Sequence, residues 1–241
     1  MKWQIGLAAL LLLWSGAAAA RHGSGFLEPR RATPGIQLEL IEESPEAPGG
    51  VRKYRLRAEG VPRDLKFGIW TKDFGQQFTE AYSGFQVDAA GELVSVDDTG
   101  QSRRLRDVSL DPGPYPSGAV WMVALASDDH QISAFAKVIP HPIVAKDGAC
   151  KLTLELISLH GNRFVAYGEG FAVNEEVDIE LRSADRVVQK AQRASAEGVL
   201  PMDVISHGGV GTDQRASYRI KGRLCGPEVK YEWGEAALIR H

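Results

Sequence analysis

The sequence predicts an all-β fold: two tandem antiparallel β-sandwiches behind a cleaved signal peptide. Three observations carry this expectation. Short runs alternate apolar and polar residues, as in Leu152, Leu154 and Leu156 against Thr153 and Glu155, or Val177, Ile179 and Leu181 against Asp178 and Glu180. That is the period of a strand with one buried face. Clusters of Gly, Pro, Asn and Asp punctuate these runs at short intervals, and helical periodicity is too sparse for an α/β fold. The two halves also echo each other. Tyr54-Arg55-Leu56-Arg57-Ala58-Glu59-Gly60-Val61 aligns with the stretch through Val165, Glu169, Gly170 and Phe171, and Asp88-Ala89-Ala90-Gly91-Glu92-Leu93 aligns with Ser195-Ala196-Glu197-Gly198-Val199-Leu200.

Residues 1–20 read as a secretory signal peptide: Lys2, an apolar run from Ile5 to Trp14, then small residues offering a cut after Ala18-Ala19-Ala20. The apolar run is shorter than the roughly 20 residues of a spanning helix, so no membrane span is expected in the mature chain. Residues 21–35 form a flexible leader. Residues 36–140 make the first predicted sandwich. Its strands begin at Ile36-Gln37-Leu38-Glu39-Leu40, continue through Val51 to Glu59, and resume at Phe67 and Ile69. Trp70, Phe74, Phe78 and Tyr82 then recur four apart, which on a helix makes one stripe. They are either a short helix or structured loop closing one end of the sandwich, or an aromatic platform for a sugar or peptide.

Gly84 to Val96 reads as a hairpin and residues 97–107 as an exposed loop. Ala119 to Ala126 is an apolar run that fits a buried strand, and Ile132 to Ile139 closes the unit. Residues 141–148 are the expected linker and residues 149–241 the second sandwich, with strands at Cys150 to Leu156, Phe164 to Tyr167, Val177 to Leu181, Val199 to Ile205, Ser217 to Ile220 and Val229 to Trp233. The stretch from Asp185 to Ala196 fits a helical face as well as a strand. The turns around it favour a strand.

The chain has 28 basic and 31 acidic residues, a net charge of −3, and no basic stripe, so nucleic acid is not an expected partner. Its two cysteines, Cys150 and Cys225, read as a disulfide in an exported protein. The expected address is the bacterial periplasm or the extracellular space.

Tyr167-Gly168-Glu169-Gly170-Phe171, followed by Glu175-Glu176-Val177-Asp178-Ile179, resembles the turn and strand of immunoglobulin-like modules in bacterial exported proteins, including IPT/TIG-type domains. The resemblance covers about twenty residues and implies an immunoglobulin-like sandwich. It also implies a role as spacer, adhesive surface or accessory domain.

Candidate chemistry is thin. Ser206, His207 and Asp203 or Asp213 are the residue types of an acyl-transfer triad, but no Gly-x-Ser-x-Gly elbow accompanies them. Asp97-Asp98 and Asp128-Asp129-His130 lack the spaced carboxylates of a calcium loop, and His130, His141 and His160 lack zinc spacing. No cofactor is expected. The functional expectation is a non-enzymatic binding or structural module of the cell envelope, with a protein or glycan partner. One alternative is a periplasmic chaperone or assembly factor using an exposed strand edge. The other is a hydrolase with a loop-borne site near Trp70 to Tyr82.

Overall fold

A computed structural model of the chain describes residues 27–43, 52–96, 99–183, 186–208 and 213–241. Nine strands form its first half: β1 (Gln37–Glu42), β2 (Tyr54–Glu59), β3 (Phe67–Lys72), β4 (Thr79–Val87), β5 (Leu93–Val96), β6 (Ser102–Arg104), β7 (Ser109–Leu110), β8 (Trp121–Ser127) and β9 (Ser133–Val138). Eight more follow: β10 (Ile143–Asp147), β11 (Cys150–Leu156), β12 (Arg163–Glu169), β13 (Glu176–Ser183), β14 (Arg186–Arg193), β15 (Asp203–Ser206), β16 (Arg215–Lys221) and β17 (Glu228–Glu232). The only helical elements among the described residues are 3-10 turns of three residues. The protein is all-β, and these strands pair antiparallel throughout.

The strands make four sheets. The first half supplies β1-β2-β7 and the six-stranded β6-β5-β4-β3-β8-β9, and the second supplies β10-β11-β12-β15 and β14-β13-β16-β17. The pairing order recurs. β1-β2-β7 has its counterpart in β11-β12-β15, and β4-β3-β8-β9 in β14-β13-β16-β17. The first half adds the β5-β6 hairpin, and the second adds β10.

Alternation explains the burial. Cys150, Leu152, Leu154 and Leu156 on β11 are all buried while Lys151, Thr153 and Glu155 between them are not, and Tyr54 and Leu56 point inward from β2 between exposed Arg55 and Arg57. β8 is the exception, with six of its seven residues buried. Its inner face places Trp121 5.8 Å from Tyr54, ring to ring. Its outer face, Ala124 and Ala126, lies under Leu27 and Phe78. A strand covered on both sides needs the unbroken apolar run that its sequence shows.

Three expectations change. Ile143–Asp147, read as part of a linker, is strand β10, hydrogen-bonded to β11 as a hairpin edge. The segment 97–107, read as an exposed loop, contains edge strand β6 and a 3-10 turn at Leu105–Asp107 whose Leu105 is buried. No helix forms between Trp70 and Tyr82; β3 and β4 occupy that stretch with a turn at Gly75. The segment 186–193 is a strand, β14.

Backbone bonds join the halves. Leu156 N–H donates to Gly118 C=O at 2.8 Å and Gly118 N–H to His141 C=O at 2.8 Å, while Tyr115 and His241 exchange N–H to C=O bonds at 3.2 Å each. A disulfide joins Cys150, at the start of β11, to Cys225 in the β16–β17 connection, across 75 residues of sequence. In the chain-entropy account a loop of that length stabilises by about 4 kcal/mol.

Candidate functional site

The second half shows what a closed seam looks like in this fold. β15 pairs with β12 from Arg163 to Ala166. Beyond it the β14–β15 connection keeps the edge of β12 bonded: Leu200 N–H donates to Gly168 C=O at 2.8 Å, and Phe171 N–H donates to Gly198 C=O at 3.1 Å. The turn that delivers this segment is tight, with Ser195 N–H to Val199 C=O at 2.8 Å and Gly198 N–H to Ser195 C=O at 3.1 Å. Gly198 has φ +72°, and a Cβ there would collide with the Phe171 carbonyl. Only glycine allows that approach.

The first half builds the same turn and leaves the seam open. Asp88 N–H donates to Glu92 C=O at 2.8 Å and Gly91 N–H to Asp88 C=O at 3.1 Å, the same two bonds at the aligned positions. Yet a Cβ on Gly91 would meet nothing nearer than Arg63 Nη2, at 3.9 Å. β7 pairs with β2 only at Tyr54 and Arg55. Upstream of β7 the chain coils through Leu105–Asp107 and buries Leu105 and Val108 in the core. Among the described residues, no backbone bond reaches the edge of β2 from Arg57 to Val61 on the side away from β1.

The result is a cleft of about 910 Å³ between β2 and the β4–β5 hairpin. Its apolar lining comes from Leu56, Val61, Val87, Leu93 and Leu105, and five arginines, Arg55, Arg57, Arg63, Arg104 and Arg106, face three carboxylates, Glu59, Glu92 and Asp107. The excess of positive charge is local, because the whole chain is net negative. Glu92 Oε1 binds Arg106 Nη1 at 2.5 Å and its Oε2 lies 3.4 Å from Arg104 Nε. Arg57 pairs with Glu39 and, at 3.7 Å, Glu59. Arg55 pairs with Glu43, and that hydrogen bond lowers the Glu43 pKa. Arg63 is exposed and makes no ion pair among the described residues. A basic rim over an apolar floor suits an anionic ligand with an apolar side.

Of the four aromatic residues proposed as a platform, Trp70 and Tyr82 lie on β3 and β4 of the other sheet and Phe74 and Phe78 in the connection between them, and the four are divided between two clusters. Trp70, on β3, and Phe78 belong to the small cluster on the outer face of β8, where Phe78 is buried with its ring 6.0 Å from that of Phe135. Phe74 and Tyr82 pack against the main core. Arg103 covers the Tyr82 ring at 5.1 Å. Spacing by four put them on one helical face; on strands and a turn it does not.

Asp203, Ser206 and His207 belong to β15 and its end. Strand alternation turns Asp203, Ile205 and His207 toward the core and Val204 and Ser206 to solvent, so Ser206 and His207 face opposite ways. His207 Nε2 lies 2.8 Å from Tyr231 Oη, and its ring stacks on Trp233 at 5.0 Å. Burial, with a smaller contribution from Arg186, pulls its pKa down to about 4. Asp203 accepts a 2.6 Å bond from Tyr218 Oη and pairs with Lys190. Burial first, then Asp203, pushes the Tyr218 pKa up. These are contacts of a packed core.

Asp97-Asp98 lies outside the described residues, as does most of the Gly208-Gly209-Val210-Gly211 turn. Asp129 Oδ1 accepts from Ser127 Oγ at 2.5 Å and from Gln131 N–H at 3.1 Å, which shapes its turn. Among the described residues no group of three or more His, Cys, Asp or Glu side chains is placed to hold a metal ion, and no helix is long and apolar enough to cross a membrane.

Strand periodicity carries no mark of the cleft. A signal was present: the aligned hairpins place Gly91 against Gly198, yet β7 begins at Ser109 and β15 at Asp203. The longer detour in the first half is what pulls the chain off β2. Against known proteins, the chain matches no family model and no curated sequence.

Proposed function

We propose that this is an exported, non-enzymatic binding protein of the bacterial cell envelope, built from two immunoglobulin-like sandwiches, whose ligand site is the open seam of the first half. The observation that carries the reading is the contrast between the halves. The same turn closes on Gly168 and Phe171 in one and leaves a cleft rimmed by Arg57, Arg63 and Arg106 in the other. The recurring strand order supports a duplicated unit, and a disulfide suits an oxidising compartment. Residues 1–20, which carry the export reading, lie outside the described residues. The separation of Ser206 from His207 supports a binding role over hydrolysis.

The test is titration of the disulfide-bonded protein with two classes of carboxylate ligand: acidic peptides and uronic-acid oligosaccharides. At least one class should bind in a salt-dependent manner, and Arg57→Glu with Arg63→Glu should weaken that binding about a hundredfold, each charge reversal contributing about tenfold. Binding by neither class, or binding indifferent to the double variant, overturns the proposal. The free edge of β2 also favours an assembly-factor reading, in which the ligand is a segment of a subunit awaiting incorporation.

A further inference from the structure

Resting on the cleft being the ligand site, we infer that its occupant is an extended, acidic peptide segment of a partner protein, which adds to the free edge of β2 as a strand. The second half supplies the precedent within the same chain. There Gly198-Val199-Leu200 lies along β12, accepting from Phe171 N–H and donating to Gly168 C=O. The aligned groups in the first half are Val61 N–H and Ala58 C=O, and neither has a backbone partner among the described residues. An unpaired donor and acceptor along a strand edge are a template for another strand.

Registers agree between the halves. Gln37 faces Glu59 as Lys151 faces Glu169, and Leu38 faces Ala58 as Leu152 faces Gly168. Ala58 C=O therefore points the way Gly168 C=O does, toward the seam. Pro62 follows Val61 and favours an extended Val61, which keeps its N–H in line with the edge. From Arg57 to Glu59 β2 is paired with β1 alone, and this stretch spans roughly 10 Å at the rise of a strand.

Charge decides which peptide fits. A strand in the seam would turn alternate side chains toward Leu56, Leu93 and Leu105 and the others toward Arg57, Arg63 and Arg106. The matching segment alternates apolar residues with Asp or Glu. Arg63 makes no ion pair among the described residues, so a peptide carboxylate can engage it without breaking one. A small anion would use the arginines and leave Val61 N–H and Ala58 C=O unpaired.

The probe is a short capped peptide of alternating Glu and Val, titrated against the disulfide-bonded protein. It is compared with the same peptide N-methylated at alternate amides, in the two possible phases, and with a uronic-acid oligosaccharide. The inference expects the unmodified peptide to bind, one phase of N-methylation to weaken it about tenfold or more, and the other phase to weaken it much less, because only alternate amides of an edge strand face the partner. Arg63→Glu should weaken the unmodified peptide about tenfold. Equal binding of all three peptides overturns strand addition and leaves the cleft as an anion site. Arg63-dependent binding of the oligosaccharide without peptide binding also overturns it, while the proposed function stands. If nothing binds, both fail.

Discussion

Gly170 lies so close to Ala149 that a Cβ on it would strike the Ala149 carbonyl, and its φ is +84°. Gly60 stands in the same relation to Gly35, with φ +74°. In each half the glycine directly follows the second strand of the pair and sits over the residue two before the partner of that strand's last residue, Gln37 for Glu59 and Lys151 for Glu169, which locks the turn onto the open end of the pair. Gly170→Ala and Gly60→Ala should each cost about 3 kcal/mol, combining a left-handed backbone with a backbone clash. Gly148→Ala, at φ +55° with open space around it, should cost about 1 kcal/mol. Urea unfolding midpoints of the three variants check the ranking.

Removing the disulfide tests the second half. Replacing Cys150 and Cys225 with Ala should lower stability by about 4 kcal/mol if the entropic account holds. The measurement is equilibrium unfolding of the oxidised protein against the double variant. Midpoints that coincide would mean the bridge constrains little in the unfolded chain.

His207 makes stability depend on pH. Its pKa falls from 6.5 to about 4 on folding, so below pH 6.5 the unfolded chain binds a proton that the folded chain does not. Its contribution to stability is complete above about pH 6.5 and lost as the pH falls to about 4. Unfolding free energy measured from pH 7.5 to 4 should decline over that window. His207→Phe should flatten the decline, while lowering stability at pH 7 because Tyr231 Oη loses its partner.

Asp203 holds a buried hydroxyl. Asp203→Ala would leave Tyr218 Oη without the acceptor it has at 2.6 Å and should cost about 2 kcal/mol. Asp203→Asn keeps an acceptor and should recover roughly half of that. Lys190→Ala removes only the half-exposed end of the ion pair and should cost well under 1 kcal/mol. Chemical denaturation of the three variants separates these contributions.

The residues explain what could be read from sequence. Leu152, Leu154 and Leu156 declare their strand because one face is buried and the other is not, and the apolar run of β8 declares itself because Leu27 and Phe78 cover its second face. Trp70 to Tyr82 misled because a period of four is helical locally, whereas the fold places those rings by strand pairing and by Phe135, far away in sequence. β10 looked like a connection because Ile143–Asp147 is short and follows Pro140 and Pro142. Its strand character depends on β11 being beside it. The seam was illegible for a deeper reason. Alternation predicts which face of β2 is buried, but whether the β4–β5 hairpin reaches its edge depends on the path from Leu93 to Ser109, which carries no periodic signal.

The most direct test of the account is amide hydrogen exchange at two aligned positions in the unliganded protein, followed by NMR. Phe171 N–H, bonded to Gly198 C=O, should be strongly protected, and Val61 N–H should exchange at close to the rate of an unstructured amide. Protection of Val61 equal to that of Phe171 would mean that the seam of the first half is closed in solution, and the proposed binding site would be contradicted.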